Sequence, residues 1–590
     1  MNKTLSSKKK DKLKLLMKFL DGKIIWLFVF NIAFLIVIGI FPSLIVNYQL
    51  QLFDSIGRSK VLPSVILRFI LILSIVQILF ELTNLLFNKI NYLFAEKIRL
   101  SFQNQIYNKM QTLKIDYFEN AEFYNLLYRI RENGANSVLG ALTNWFDLAR
   151  NFIQVVSLSI ILMRIHWIFP ILTISFSIPY VFLFRKMNFN HYFYLLDHSA
   201  KTRKNHYLID LLTKREYAKE VRIFGLFNYF YDYHVRLRDE LFDETYKLVK
   251  KYTLYAGIIS VFKRIIQVFC FALGIYFISQ KIIEIGQYAI LYQTIVQIQS
   301  ALLQTVQSYK SQNNQQYHLD DIAKFQHLDE QIIATHHTDH KRPSVCFNNV
   351  SFTYPLADKP VLRDINLTIP FGQKVAVVGE NGSGKTTFAY LLAGLYQPTS
   401  GRVMMGDQEI KEITSEDKEF IGFVFQDFLQ FHGTIRDNIE LGSQRKLSDE
   451  EVIEALKLSG AWEFVASLPR KMNTVLGFLE SDSVDLSGGQ WQKLAIARGL
   501  LNCQRTLLIL DECAASLDPF AESYLYEQFH QLTSGKTAIS ISHRLGITPF
   551  VDRILVFHDG RIVEDGTHEE LMKKRGFYYA MYIAQRELYQ

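Results

Sequence analysis

Long apolar stretches dominate the first part of the chain, and after about residue 340 the pattern becomes that of an ordinary soluble domain. Six runs approach the ~20 residues that an α-helix needs to cross a bilayer. They lie at about 24–46, 62–87, 142–163, 167–184, 256–279 and 285–307. The first is the cleanest, running from Ile24 to Val46 with Asn31 as its main interruption. The last is cut by Gln293, Gln297, Ser300, Gln304 and Gln307. Most of the runs carry no charge at their centres, and so many in so short a stretch exceed what the buried helices of a soluble protein would produce. The first is also too long for a signal peptide and lacks a small-residue cleavage site. The two long connections, about 88–141 and 185–255, keep helical apolar periodicity with little Gly or Pro, which predicts helices that continue the spans. Two segments break that pattern, Asp116–Asn125 and Thr213–Gly225, and each predicts a short transverse helix at the tip of a helical hairpin. Residues 308–342 are polar and rich in histidine (His318, His327, His336, His337, His340), which reads as a solvated linker, since nothing nearby supplies a coordination geometry. The expected organisation is a membrane domain over 1–330, a linker over 331–342 and a second domain over 343–590.

Composition sharpens this division. The mean hydropathy of +0.07 averages two unlike halves. The chain has 46 Phe and 31 Tyr, and at 49% hydrophobic it is far from a disordered composition. Its formal net charge is +8, and the basic residues follow topology rather than a nucleic-acid footprint. Lys8, Lys9, Lys10, Lys12 and Lys14 crowd the N-terminus. The 2–3 connection holds Lys89, Lys97, Arg99, Lys109, Lys114, Arg129 and Arg131, and the 4–5 connection is basic as well, whereas the other connections are short and poor in charge. The expected arrangement places the N-terminus, both long connections and the second domain in the cytoplasm of a bacterial cell, with the chain crossing the cell membrane several times. The four cysteines, Cys270, Cys346, Cys503 and Cys513, have neither metal-ligand spacing nor a disulfide pattern.

The chemistry lies in the second domain. Gly379, Glu380, Asn381, Gly382, Ser383, Gly384, Lys385, Thr386 and Thr387 fit the phosphate-loop pattern between an apolar strand (Lys374–Val378) and a helix-like run (Thr386–Leu395). In that context glycines let backbone N–H groups close on phosphates, and the helix N-terminus adds positive partial charge. Lys385 is expected to reach the β- and γ-phosphates and Thr386 to ligate Mg²⁺. The run Leu507–Leu510 ends in Asp511 and Glu512, the first to hold Mg²⁺ and the second to act as general base on the attacking water. Ser487, Gly488, Gly489 and Gln490 precede a helix-like run (Trp491–Leu501) and form a second helix-terminal anion cradle. One nucleotide has a single γ-phosphate, so this second cradle is expected to serve the nucleotide of another subunit in a head-to-tail dimer.

These motifs resemble the nucleotide-binding domain of ABC transporters, and six spans before one such domain resemble a half-transporter exporter. The resemblance implies an α-helical membrane domain followed by an α/β P-loop domain, and ATP hydrolysis with Mg²⁺. It assigns Tyr354 to adenine stacking, Gln426 to the loop that senses Mg²⁺ and touches the membrane domain, Asp518 to the loop Ser516–Asp518, and His543 to the γ-phosphate contact. It makes the two transverse segments coupling helices. No consensus position is degenerate, so a homodimer would have two competent ATP sites, with a heterodimer as the alternative. The stretch Glu480–Asp485 departs from the family, many of whose exporters carry a Gly-containing segment there.

Further likeness narrows the cargo. Trp491 stands where the usual exporter has a basic residue. With Gln426–Phe428, Tyr117–Asn125 and Ala218–Gly225, it resembles exporters of lantibiotics and related modified bacteriocin peptides. The first cysteine lies inside a span, so no peptidase domain that trims a leader is expected. The polar stripe Gln293, Gln297, Ser300 and Gln304 reads either as the lining of a wet pathway for peptide amides or as hydrogen-bond glue between helices. The expected activity is ATP-driven export of a modified peptide precursor, whose modification enzymes would then be partners, alongside membrane lipid and with no role for nucleic acid. A multidrug or lipid exporter of the same fold, and a regulatory ATPase that transports nothing, are the alternatives.

Overall fold

The computed structural model describes residues 15–57, 63–175, 200–330, 344–410, 421–443, 445–478, 480–501, 506–513, 522–523, 526–527, 529 and 533–587. The chain divides into two compact units: one of Met1–Leu113 and Ala121–Asp329, the other of Lys114–Asn120 and Glu330–Gln590.

The first unit is helical. Its described elements include α1 (Gly22–Gly57), α2 (Pro63–Thr112), α3 (Ala121–Ile165), α4 (Ile168–Ser175), α5 (Arg215–Ile223), α6 (Phe227–Ser279) and α7 (Ile285–Gln326). Four of these are long and apolar enough to cross a membrane: Gly22–Asp54 of α1, then α2, α3 and α6. The expected span at 167–184 is helical through α4, and its remainder lies outside the described residues. The expected sixth span is a helix, but α7 is not among those apolar enough, because glutamines recur along it at nearly every turn. Where they are described, the long connections are mostly helical as expected, since α2, α3 and α6 run for 50, 45 and 53 residues.

Packing within this unit centres on α3 and α7. Leu158 and Leu162 of α3 and Leu291, Ile295 and Ile298 of α7 are fully buried in one apolar cluster. Close approach depends on small residues: a Cβ at Gly140 would stand 2.9 Å from Nε2 of Gln315, and one at Gly134 2.4 Å from the Phe102 ring. Asn144 donates to Ser311 at 3.0 Å, and Arg129 grips the buried Asp321 at 2.8 Å. By contrast the most apolar stretch of α2 buries none of its residues, and Leu67, Leu71, Ile75, Ile78 and Leu82 all face outward. A helix of that kind needs an apolar surrounding rather than water.

The second unit holds two sheets built from β1 (Val345–Phe352), β2 (Leu362–Ile369), β3 (Lys374–Gly379), β4 (Ser400–Met405), β5 (Gln408–Glu409), β6 (Ile421–Val424), β7 (Leu507–Asp511), β8 (Thr537–Ile541), β9 (Arg553–His558) and β10 (Arg561–Gly566). The smaller is antiparallel in the order β2-β1-β4-β5. The larger runs β10-β9-β3-β8-β7-β6, parallel except for the β10–β9 pair. Every residue of β7 and β8 is buried, which is why they read as unbroken apolar runs rather than alternations. Phe347, Phe388 and Phe557 fill the core between the sheets. Parallel order places the C-terminal ends of β3, β8, β7 and β6 side by side, the edge at which α/β sheets bind ligands.

Of the two transverse segments, the first is a five-residue 3₁₀ turn, Ile115–Glu119, shorter than Asp116–Asn125 because α3 already begins at Ala121. It belongs to the second unit, where the Tyr396 hydroxyl donates to Glu119 at 2.5 Å. The other forms α5 within Thr213–Gly225 and stops where Gly225 turns left-handed at φ +62°.

Candidate nucleotide site

The loop after β3 has the backbone that phosphate binding requires. Gly379 and Gly384 take φ values of +152° and +101°. A Cβ on Gly379 would lie 2.2 Å from the Phe557 carbonyl oxygen, and one on Gly384 2.7 Å from the Leu362 side chain. Gly384 then caps helix α8 (Lys385–Leu392) without any side-chain acceptor, which leaves the first N–H groups of the helix to a ligand. Lys385 folds back and donates to the carbonyls of Gly379 at 3.0 Å and Glu380 at 2.7 Å. Burial pulls its pKa down, against the pull of Glu512 and Asp511.

The acidic side comes from β7. Asp511 is fully buried; its Oδ1 lies 3.5 Å from the Thr386 hydroxyl and its Oδ2 has no hydrogen-bond partner. Burial, then the neighbouring Glu512, pushes its carboxyl up to about 6. A buried carboxylate oxygen with an open lone pair beside a threonine hydroxyl is an oxygen donor set suited to a hard divalent cation. Glu512 takes the left-handed conformation at φ +48°, uncommon for a residue with a side chain, and its N–H is held by the Ile541 carbonyl at 3.0 Å. The turn aims its carboxylate back over the strand ends, where Gln426 donates to it at 2.8 Å and His543 meets it at 2.5 Å. The His543 ring also hydrogen-bonds the Gly379 backbone. Burial and then Lys385 lower the pKa of His543, with Glu512 opposing.

These groups share one open cavity of about 370 Å³, lined by Asn381, Gly382, Gly384, Lys385, Thr386, Thr387, Gln426, Glu512 and His543. Val361, which no motif singles out, lines it as well. Ser383 keeps a buried hydroxyl without a partner. Tyr354 stands next to the cavity rather than on it. Its hydroxyl is 3.0 Å from the Thr387 hydroxyl, and its ring packs edge-on against Phe352 and Tyr396. Ser487, Gly488, Gly489 and Gln490 lie outside the cavity at the start of α12 (Gly488–Leu500), α9 to α11 being Ile435–Glu440, Asp449–Leu458 and Trp462–Ser467. There Ser487 accepts from Gln490 N–H and the Gln490 side chain accepts from Ser487 N–H, a capping box. Asp518 lies outside the described residues. The motif assigns no role to Gln492, one turn into α12, yet its amide donates to the Glu512 carbonyl at 3.3 Å.

A glycine loop at a helix N-terminus, a cation-competent aspartate on the next strand but one, and a glutamate turned toward both define a P-loop nucleoside triphosphatase. Residues 362–515 match the ABC transporter family, and in this chain that domain is fused to an N-terminal membrane domain. The chain is accordingly an ATP hydrolase coupled to transport. The subtilin transport ATP-binding protein SpaT of Bacillus subtilis is 28% identical over 559 residues, 94% of this chain and 91% of its own. The nisin transport ATP-binding protein NisT of Lactococcus lactis is 25% identical over 91% of this chain and 90% of its own. An ATP-dependent lipid A-core flippase of Methylobacillus flagellatus is 38% identical, but over only 41% of either chain. A bacterial Atm1-family ABC exporter solved with ATP bound superposes with a TM-score of 0.81 at 23% identity, covering 96% of this chain and 99% of the other, so the fold is that of an ABC exporter.

Proposed function

We propose that this transporter exports a peptide from the cytoplasm, in the first place a ribosomally made, modified bacteriocin precursor of the lantibiotic kind, and that it works as a homodimer. The observation that carries the cargo reading is likeness to the subtilin and nisin transporters across both halves of the chain. Likeness to the lipid flippase is confined to a stretch no longer than the ATPase half. Basic residues at the N-terminus and in the long connections support a cytoplasmic position for the ATPase unit.

In this reading each ATP sits between Lys385, Thr386 and Thr387 of one subunit and Ser487 and Gly489 of the other. Tyr354 leaves its packed position to stack on adenine. Thr386, Asp511 and Gln426 would hold Mg²⁺, whose charge would offset that of the β- and γ-phosphates. Glu512 accepts the proton of the attacking water, and His543 steadies the γ-phosphate. Binding closes the dimer and turns the membrane cavity outward; hydrolysis resets it. The test is ATP-dependent uptake into inverted vesicles. The expected result is uptake of a modified precursor peptide, with turnover stimulated by that peptide. Stimulation by lipophilic drugs or lipids and by no precursor peptide would overturn the cargo reading, and ATPase activity with no uptake of any class would overturn transport of these substrates.

A further inference from the structure

The C-terminal helices, α13 (His568–Lys574) and α14 (Phe577–Glu587), belong to none of the motifs of the nucleotide site. Yet α14 reaches the loop that carries His543. One side-chain amide does this twice: Gln585 donates through Nε2 to the His543 carbonyl, and its Oε1 accepts the Leu545 N–H at 2.9 Å. The intervening residue is fixed separately. Arg544 N–H donates to the Ser542 hydroxyl at 2.9 Å, that hydroxyl donates back to the Arg544 carbonyl at 2.8 Å, and the Arg544 guanidinium pairs with Glu522.

Leu545 of this loop is buried in the cluster against which Met581 of α14 packs, but beside that contact there is space. A cavity of about 560 Å³ opens there, with Gly379, Glu380 and Asn381 of the phosphate loop on its wall and Met581 and Ala584 of α14 facing them. The Ser542 N–H is held by the Val377 carbonyl at 3.2 Å and Leu545 by packing, while His543 between them fronts the cavity without a close-packed wall, so the paired hydrogen bonds to Gln585 help set where its backbone lies. The ring of His543 hangs from that backbone and meets Glu512 at 2.5 Å and the Gly379 backbone.

We propose that Gln585 is a positioning residue for hydrolysis, which fixes the backbone on both sides of Arg544, directly after His543, and so holds the imidazole against Glu512. Gln585 does not line the nucleotide cavity, so it sets the geometry of the chemical step and leaves nucleotide binding alone. The proposal rests on the role given to His543 above.

Steady-state ATP turnover of the full-length protein in proteoliposomes tests it. Displacing a reacting geometry by ~1 Å costs on the order of 10²-fold, so Gln585→Ala should lower kcat by about 10- to 100-fold with KM for ATP unchanged. Gln585→Glu keeps an acceptor for Leu545 but cannot donate to His543, and should lose nearly as much. Met581→Ala, on the same helix and against the same cavity, should leave kcat near the parent value. Parental kcat in Gln585→Ala overturns the proposal. So does a rise in KM at constant kcat, or an equal loss in Met581→Ala, which would assign the effect to helix docking. His543→Ala is measured beside them: if it still turns over normally, the role of His543 fails; if it is inactive while Gln585→Ala is not, only the role of Gln585 fails.

Discussion

The two units put their largest apolar side chains in opposite places. In the ATPase unit Phe347, Phe388 and Phe557 have almost no exposed surface. In the membrane unit Leu67, Ile75, Ile78 and Leu82 of α2 stand more than half exposed. One unit excludes water from a core between sheets, and its apolar side chains gather inside. The other offers an apolar outside, so the hydrophobic effect does less to draw its helices together, and close packing and polar pairs carry more of its order. Function follows the same division. Sheet packing holds strand ends in register, and chemistry needing fixed distances sits there. Among its described residues the membrane unit has no such edge, and its order rests on the apolar cluster of α3 and α7 and on pairs such as Arg129–Asp321 and Asn144–Ser311.

Perturbations of each unit test this contrast. Glu512→Gln should keep ATP binding and lower turnover by about 10²–10⁴-fold, the usual contribution of a general base; phosphate release against nucleotide binding reads it, and normal hydrolysis would remove Glu512 from that role. In the membrane unit, Arg129→Ala leaves Asp321 buried without its main partner and should destabilise by about 3 kcal/mol. Thermal unfolding in detergent measures that loss, and the ATPase midpoint should stay in place if the two units unfold independently. Tyr354→Ala should weaken nucleotide affinity by about 1–2 kcal/mol through lost stacking; equal affinity by titration would take Tyr354 out of the site. The smallest effect concerns pH. The carboxyl of Asp511 is raised to about 6, so the ion-free protein protonates it below that pH. The cation needs the carboxylate, so Mg²⁺ affinity should be flat above pH ~6 and fall by about tenfold per unit beneath it. Mg²⁺ titrations at about pH 7.5 and about pH 5 check this, and Asp511→Asn should abolish the slope.

The phosphate loop, Asp511, Glu512 and His543 were legible because each motif is local and one sheet order brings their strands together. The expectation for Tyr354 fixed the residue but not its packing. Its partner Phe352 is only two residues away, but Tyr396 comes from the connection after α8, and no local pattern brings that ring to it. Gln585 was illegible because it acts across 42 residues through a single amide. In the membrane unit length and apolarity exposed four helices at once. The stripe on α7 points to Gln293, Gln297, Ser300 and Gln304, yet Gln299 is the glutamine that is fully buried, with both amide atoms unpartnered. A period read from sequence gives a face, and only packing says which face is inside.

Lys114–Asn120 belongs by its contacts with a unit whose other residues begin at Glu330. A protein engineer who cut the gene at residue 330 would therefore discard part of the fragment meant to be kept. The buried Tyr396 phenol, whose ionisation is already suppressed by burial and by Glu119, would lose that acceptor. Where the message is severed and where the molecule divides are different places, and a short synthetic peptide supplied in trans is the natural means of rejoining them.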